Sequence, residues 1–212
     1  MNTIIFDLDG TLIDSREDLA SAVNHALQTI GKPQKSTNEI IEHVGYGLAY
    51  LLENTVGPVD QKELRKGTEA FQQFYKVHCV DVTRPYKHVL RILKELALVA
   101  KLGMVTNKPK TFTELIVTNL GLDQYVSVRI AGDTIQERKP HPAPLLEALR
   151  ILGGDVHSAY MVGDGIQDVE AGKNAGMKTC VARYGFGFRE EIMEFKPDFV
   201  IDDFSELKEI VI

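Results

Sequence analysis

Two carboxylates stand directly after the first apolar run of the chain. The run from Thr3 to Phe6 is β-branched and aromatic, which is typical of a buried parallel strand, and Asp7, Asp9 and Gly10 follow it. Ligands of open α/β sheets bind at the carboxyl ends of the strands. The stretch therefore predicts a strand whose end carries catalytic acids.

A polar turn and a calcium-binding loop are the alternatives for the same stretch. In the turn, Ser15 caps the following helix with Asp18 as its acidic partner. Capping does not account for Asp7 and Asp9, which lie well upstream of that helix. The calcium loop fails because its sixth position, which requires Gly, is Leu12, and its twelfth, which should be Glu, is Asp18. Catalysis is the favoured interpretation.

Three later segments also place polar residues at the ends of predicted strands or in the loops beside them. Taken singly, each is accounted for as a turn, a solvated loop or a helix cap. In a parallel sheet they would all meet Asp7 and Asp9 at one edge, and that convergence favours a site. The residues are Thr106 and Asn107, then Lys139, then Asp164 with Asp168.

The acids of this set require a cation, because carboxylates packed together repel one another. Oxygen ligands with room for water and a phosphate oxygen suit Mg²⁺, and no Cys/His cluster is present for a softer metal. Asp7 and Asp164 are the expected direct ligands, together with the main-chain carbonyl of Asp9. Asp168 lies one helical turn beyond Asp164, and we expect it to hold a metal-bound water or Lys139.

A site of this kind suits phosphoryl transfer. Mg²⁺ and Lys139 would offset the charge of the phosphoryl group, Asp7 would attack phosphorus to give an aspartyl-phosphate, and Asp9 would act as general acid and then base. The donors expected for the phosphoryl oxygens are the Thr106 hydroxyl and the main-chain amides near Asp9, Gly10 and Asn107.

The elements around these residues indicate an α/β protein with a doubly wound parallel sheet. Strands are predicted at Thr3–Phe6, 101–106, 126–130, 159–162, 178–181 and 199–201, and they alternate with helical patterns. Residues 15–83 show consecutive helical patterns without a convincing strand. We therefore expect a core domain of residues 1–14 and 84–212 and an inserted helical cap of residues 15–83.

Composition limits the partners that we expect. The 212 residues are 44% hydrophobic, which is ample for a core, and the formal net charge of −6 gives no general attraction to nucleic acid or to anionic membranes. Cys79 and Cys180 form no Cys-x-x-Cys pair, and the N-terminus carries no basic leader. We expect a cytoplasmic enzyme, monomeric or homodimeric, that acts on a small phosphorylated metabolite and binds neither nucleic acid nor membrane.

The polar segments together resemble the four motifs of the haloacid dehalogenase superfamily of phosphohydrolases. Asp-Leu-Asp-Gly-Thr-Leu-Ile-Asp-Ser at 7–15 is similar to the first motif, Thr106-Asn107 to the second, Lys139-Pro140 to the third and Gly163 to Asp168 to the fourth. The resemblance implies a Rossmann-like core, Mg²⁺-dependent phosphatase activity and a C1-type helical cap after the first motif.

Within that superfamily the chain most resembles the phosphoglycolate phosphatase branch, on the segments Val44–Leu48 and Asp168–Met177. Gly165 departs from the Ser or Thr that is usual there. The resemblance favours 2-phosphoglycolate as substrate, with pyrophosphate hydrolysis, a β-phosphoglucomutase-like mutase and a non-catalytic phosphate-binding protein as alternatives. Gly45 and Gly47 precede a cap helix whose amides would bind the substrate carboxylate, or else they only allow a turn.

Overall fold

The computed structural model describes residues 1–211 and contains eight strands and nine α-helices in that range. Short 3₁₀ helices lie at Val156–Ser158, Glu190–Phe195 and Phe204–Glu206. The elements are, in chain order, β1 Thr3–Phe6, β2 Ile13–Asp14, α1 Arg16–Thr29, α2 Thr37–Ile41, α3 Leu48–Val56, α4 Gln61–His78, β3 Arg84–Pro85, α5 Val89–Leu96, β4 Lys101–Val105, α6 Lys110–Asn119, β5 Val128–Ile130, α7 Ala143–Leu152, β6 Ala159–Gly163, α8 Ile166–Ala175, β7 Lys178–Ala182, β8 Phe199–Ile201 and α9 Leu207–Val211.

The main sheet has six strands in the order β5-β4-β1-β6-β7-β8, and every pair in it is parallel. The first strand lies in the middle, with Phe6 opposite Met104 on one side and Val162 on the other. The carboxyl ends of β1, β4 and β6 are therefore neighbours, at the point where the strand order reverses. The prediction of a doubly wound α/β fold is confirmed.

Both faces of β1 are buried, which explains its uninterrupted apolar sequence. Ile4 and Phe6 belong to the larger hydrophobic cluster, whereas Ile5 points to the opposite face and packs with Leu145 and Met161. All four β1 side chains are fully buried. The strand that precedes the candidate acids is thus held on both faces by the core.

The sequence-based element boundaries differ from the structure in detail. The strand expected at 126–130 begins at Val128, and β4 ends at Val105, one residue before Thr106. The spacing of Thr111 and Glu114 predicts a capping pair, but α6 begins at Lys110 and Pro109 occupies the cap position, so that prediction is wrong.

Residues 15–83 form the helices α1 to α4 and, within that range, no strand. This segment leaves and rejoins the core through an antiparallel ribbon that the sequence did not predict, in which Ile13 pairs with Pro85 and Asp14 with Arg84. We retain the division into a core of 1–14 and 84–212 and a cap of 15–83 as a proposal.

Hydrogen bonds of the Asp18 side chain connect α1 to the residues after α4, and so link the two ends of the proposed cap. Its carboxylate accepts hydrogen bonds from the amides of Val82 (3.1 Å) and Thr83 (2.8 Å) and from the Thr83 hydroxyl (2.6 Å). Ser15 is the cap residue of α1 but makes no side-chain capping bond, since its hydroxyl donates to Asp9. The expected capping pair of Ser15 and Asp18 was therefore wrong, because both side chains bind partners outside the helix.

Within residues 1–211, none of the helices combines the length and the apolar character that crossing a membrane requires.

Substitution of Asp18 tests whether its hydrogen bonds to Val82 and Thr83 stabilise the fold. We expect Asp18→Asn to lower the free energy of unfolding by about 1–3 kcal/mol, because the charged acceptor of three hydrogen bonds is buried. Urea denaturation measures the change. Glu17→Gln is the matched control, since Glu17 is exposed on the same helix. Equal stability of the two variants would contradict the assignment.

Candidate active site

The structure places the candidate residues together at the carboxyl edge of the sheet. Asp7 directly follows β1, Thr106 follows β4 and Asp164 follows β6, while Asp168 lies in the first turn of α8. Lys139 reaches the same point from the loop before α7. This convergence follows from the strand order, which makes β1, β4 and β6 neighbours.

Three carboxylates and one ammonium lie at the centre of this site. Oxygens of Asp7, Asp164 and Asp168 lie within 4.8 Å of one another. The Lys139 ammonium lies 2.6 Å from Asp168 Oδ1 and 2.9 Å from Asp7 Oδ1. All four side chains are buried. The cluster therefore has more negative than positive charge, and its burial limits how far solvent can compensate the difference.

The pKa values reflect this imbalance. Burial raises the pKa of Asp7 to about 7, with Lys139 opposing the shift and Asp168 adding to it. Burial, and then the charges of Asp7 and Asp168, hold the pKa of Asp164 well above its usual range. Burial acts to lower the pKa of Lys139, but Asp168 and Asp7 outweigh it and the net direction is upward. Lys139 thus stays charged, while ionising every carboxylate requires a further cation.

The donor set fits a divalent cation. Among the described residues, Asp7 Oδ1 has no well-directed hydrogen bond, although it is buried and in ion-pair contact with Lys139. Hard metal ions bind such carboxylate oxygens. Asp168 differs, because Oδ1 accepts from Lys139 and Oδ2 from the Gly165 amide at 3.0 Å. The sequence-based expectation that Asp168 holds Lys139 agrees with these contacts.

Small residues surround Asp164. The Gly187 amide donates to its Oδ2 at 2.7 Å and the Thr11 hydroxyl to its Oδ1 at 3.2 Å, and the sequence predicted neither contact. A Cβ atom at Gly10, where φ is +83°, would overlap the Asp164 carboxylate. The Gly10 amide donates to the carbonyl of Ile13 at 2.9 Å. The expectation that this amide is free for a phosphoryl oxygen was therefore wrong, and Gly10 makes room for Asp164.

Thr106 and Asn107 differ in what they offer a ligand. The Thr106 hydroxyl accepts from the Lys108 amide at 3.2 Å, so its own proton remains available. Both amide protons of the Asn107 side chain are used, one by the carbonyl of Gly45 and one by that of Lys139, each at 2.8 Å. Its Oδ1 accepts from the Lys139 amide. The Asn107 side chain thus orients Lys139 and joins the core to the proposed cap.

The Asp9 carboxylate forms an ion pair with Lys108 that the sequence did not predict. The Lys108 ammonium lies 3.0 and 2.9 Å from the two carboxylate oxygens of Asp9 and 2.9 Å from the hydroxyl of Tyr75 on α4. Ser15 donates to Asp9 Oδ1 at 2.5 Å. Lys108 follows Asn107 directly in the chain, which was the one available signal, whereas nothing in the sequence pointed to Tyr75.

A cleft that is open to solvent lies between the sheet edge and α3 and α4. Asp7, Asp9, Gly45 and Gly47 line it together with apolar side chains, so the two glycines do border the site. Of the described residues that line it, Lys108 carries the one basic side chain. The apolar lining consists mainly of Leu19, Val44, Leu48, Leu51, Phe71 and Phe112.

Gln167 explains the unusual glycine of the fourth motif. A Cβ atom at Gly165 would overlap the side-chain amide of Gln167. The same amide nitrogen would lie 2.7 Å from a Cβ atom at Gly45, where φ is +117°. The buried Gln167 side chain therefore occupies the space that a larger residue at 165 would need, and it reaches the proposed cap at Gly45.

Comparisons with known proteins agree with this geometry. Residues 4–182 match the family model described as "Haloacid dehalogenase-like hydrolase". A phosphoglycolate phosphatase of Psychrobacter arcticus is 39% identical over 96% of this chain and 93% of its own length. Pyrophosphatase PpaX of Bacillus cereus is 32% identical over 100% of this chain and 96% of its own length. The crystal structure of a predicted phosphoglycolate phosphatase from Haemophilus somnus has a TM-score of 0.95 and 31% identity, covering 100% of this chain and 98% of that one.

The chain belongs to the haloacid dehalogenase-like hydrolase family. It is a phosphatase of that family, with a site that could hold a metal ion formed by Asp7, Asp164 and Asp168.

The raised pKa values predict how pH affects cation binding. The native metal-free state binds more protons than the unfolded chain between the ordinary Asp value of 3.8 and about 7, so the stabilising contribution of Asp7 falls as pH rises through that range. A bound divalent cation must displace the proton. Its apparent affinity should therefore fall about tenfold for each pH unit below about 7 if one proton is displaced.

Thermal unfolding at pH 6 and pH 8, with Mg²⁺ and with EDTA, measures this effect. We expect the Mg²⁺-dependent rise in Tm at limiting Mg²⁺ to be larger at pH 8. Asp202→Asn, an exposed acid far from the site in sequence, serves as a control that keeps the rise. A rise of the same size at both pH values would refute the coupling.

Proposed function

We propose that the protein is a Mg²⁺-dependent phosphomonoester hydrolase that works through an aspartyl-phosphate on Asp7. The observation that carries the proposal is Asp7 Oδ1, a buried carboxylate oxygen without a well-directed hydrogen bond that touches the Lys139 ammonium and borders the cleft. A structural aspartate of this burial would be fully hydrogen-bonded. Asp7, Asp164 and the Asp9 carbonyl would hold the Mg²⁺, which supplies positive charge against the phosphoryl oxygens.

In the first step Asp7 attacks phosphorus, and the bond from phosphorus to the leaving oxygen breaks as the bond to Asp7 forms. Lys139 holds the orientation of Asp7 and offsets charge on the phosphoryl group, and the Thr106 hydroxyl donates to one of its oxygens. Asp9, in its protonated form, gives a proton to the leaving oxygen.

In the second step water attacks the aspartyl-phosphate. Asp9, now a carboxylate, takes a proton from that water, so the P–O bond to Asp7 breaks and inorganic phosphate leaves with the nucleophile regenerated. The cycle restores the proton that Asp9 gave up. A β-phosphoglucomutase-like enzyme would return the phosphoryl group to its substrate instead of to water.

The cleft favours a small organic leaving group with little negative charge. Its lining is mainly apolar, and Lys108, the basic side chain among the described lining residues, is already paired with Asp9. Pyrophosphate would leave as a multiply charged phosphate and would need cations other than Lys108, and Arg138, whose guanidinium lies 3.4 Å from a Cβ built at Gly47, is the neighbouring candidate. Glycolate carries one carboxylate, which amides at the start of α3, next to Gly45 and Gly47, would bind.

The relatives of this chain support two candidate substrates. Full-length relatives bear the names phosphoglycolate phosphatase and pyrophosphatase PpaX, at 32–39% identity. We propose 2-phosphoglycolate as the substrate because of the apolar cleft, with pyrophosphate as the alternative. We further propose a cytoplasmic enzyme, monomeric or homodimeric, without nucleic acid or membrane partners.

Release of inorganic phosphate from a panel of phosphoesters tests the reaction, and Asp7→Asn tests the nucleophile. The variant keeps the shape of the side chain but loses its charge, so we expect an intact fold by circular dichroism and a loss of phosphatase rate on the order of 10⁴-fold or more. Asp202→Asn should keep the wild-type rate. A tenth of wild-type activity in Asp7→Asn would end the covalent proposal, and a wild type that hydrolyses no phosphoester would end the phosphatase proposal.

Substitution of Gly47 tests the selection of a small acid. We expect Gly47→Ala to raise KM for 2-phosphoglycolate about fivefold, as suits loss of about 1 kcal/mol at a helix N-terminus, and to raise KM for p-nitrophenyl phosphate less.

Gly57→Ala is the matched control for this variant. Gly57 lies at the other end of α3 with a similar positive φ, +72° against +93°, and no atom lies near its missing Cβ. The strain of a positive φ is thus shared and the cleft is untouched, whereas a Cβ at Gly47 would also lie 3.3 Å from the Asn107 carbonyl oxygen and 3.4 Å from the Arg138 guanidinium. A wild-type kcat/KM for 2-phosphoglycolate no higher than for pyrophosphate or glucose 6-phosphate would refute the substrate.

A further inference from the structure

A second buried ion pair lies beside the catalytic cluster, and neither step of phosphoryl transfer requires its lysine. Lys108 and Asp9 are paired with side chains that are 5% and 11% exposed. Both carboxylate oxygens of Asp9 accept from the same ammonium, at 3.0 and 2.9 Å. Burying such a pair is costly unless its hydrogen bonds are complete. This pair lies at the proposed acid–base group.

The ammonium of Lys108 makes three contacts within the protein. They are the two oxygens of Asp9 and the hydroxyl of Tyr75 at 2.9 Å. Lys108 is thus held against the Asp9 side chain.

The two oxygens of Asp9 are not equivalent. Oδ1 accepts from Ser15 as well as from Lys108, whereas among residues 1–211 Oδ2 accepts from Lys108 alone. The oxygen with the smaller number of donors is the one available to carry a transferable proton. These contacts fix the plane of the carboxylate and so determine where Oδ2 lies.

Tyr75 connects this arrangement to the proposed cap. It belongs to α4, whereas Lys108 and Asp9 belong to the core. Its ring is fully buried and packs against Phe71 and Phe112 at centroid distances of 5.2 and 5.1 Å, and the Lys108 ammonium also lies 4.8 Å from the ring centroid. The position of the hydroxyl thus depends on α4 being seated against α6.

We propose that Lys108 and Tyr75 are positioning residues that aim Asp9 at the leaving oxygen, so that Asp9 is aligned for acid–base work when the cap helix α4 is seated on the core. The inference rests on the proposed phosphatase function. The competing role for Lys108 is only to tie the cap to the core. The two roles differ in whether the loss caused by a substitution depends on the leaving group.

The experiment compares kcat/KM for two esters, because this ratio reports the steps up to formation of the aspartyl-phosphate. One is an alkyl phosphomonoester, either 2-phosphoglycolate or the alkyl ester that the wild type hydrolyses fastest, whose leaving oxygen needs a proton. The other is p-nitrophenyl phosphate, whose leaving group departs without one.

We expect Lys108→Met to lower kcat/KM for the alkyl ester about 100-fold or more, as loss of general acid catalysis would. The loss for p-nitrophenyl phosphate should be about tenfold smaller. Tyr75→Phe keeps the ring and removes one hydrogen bond, so its loss should be about tenfold, again larger for the alkyl ester. Lys110→Met is the control, because Lys110 is exposed two residues further on.

Each outcome decides the question. If a folded Lys108→Met variant loses kcat/KM equally for the two esters, Lys108 only links the cap to the core. That result would overturn the inference and leave the phosphatase proposal in place. If Lys108→Met does not fold, Tyr75→Phe decides in the same way. A wild type inactive on every ester overturns the proposed function and this inference with it.

Discussion

Uncompensated negative charge at the ends of β1 and β6 is the constraint on which the rest of the site depends. Asp7, Asp164 and Asp168 are buried within 4.8 Å of one another, and Lys139 is the ammonium that contacts two of them. Buried carboxylates in this ratio to cations favour protonation or metal binding. The same imbalance explains the raised pKa values and makes the site suitable for a group that arrives with a metal ion.

The segment that follows β4 contributes both to the active site and to the contacts between the core and the proposed cap. Asn107 binds the carbonyl of Gly45 and orients Lys139, and Lys108 binds Asp9 and Tyr75. Contacts between the helices of 15–83 and the core are therefore made through the residues that surround the reacting group.

Much of this was readable from the sequence because the relevant signals are local. Alternation of apolar strands with helical patterns predicts the parallel sheet, and polar residues at strand ends predict which side chains meet. Asp7, Thr106 and Asp164 each follow a strand directly, so the strand order of a doubly wound sheet brings them to one edge. Ser36 and Glu39 form a capping box, and their spacing alone predicts it because all of its bonds lie within four consecutive residues.

The sequence by itself determined the fold class, the helical character of 15–83 and the residues of the central cluster. Only the tertiary structure decided the partners that lie far apart in the chain. Asp18 binds Thr83 across 65 residues and Asp9 binds Lys108 across 99, so no local pattern could reveal that these acids act outside their own helix or turn. The tertiary structure also showed which side chains fill the space beside two glycines. Asp164 lies where a Cβ atom of residue 10 would be, and Gln167 lies where a Cβ atom of residue 165 would be.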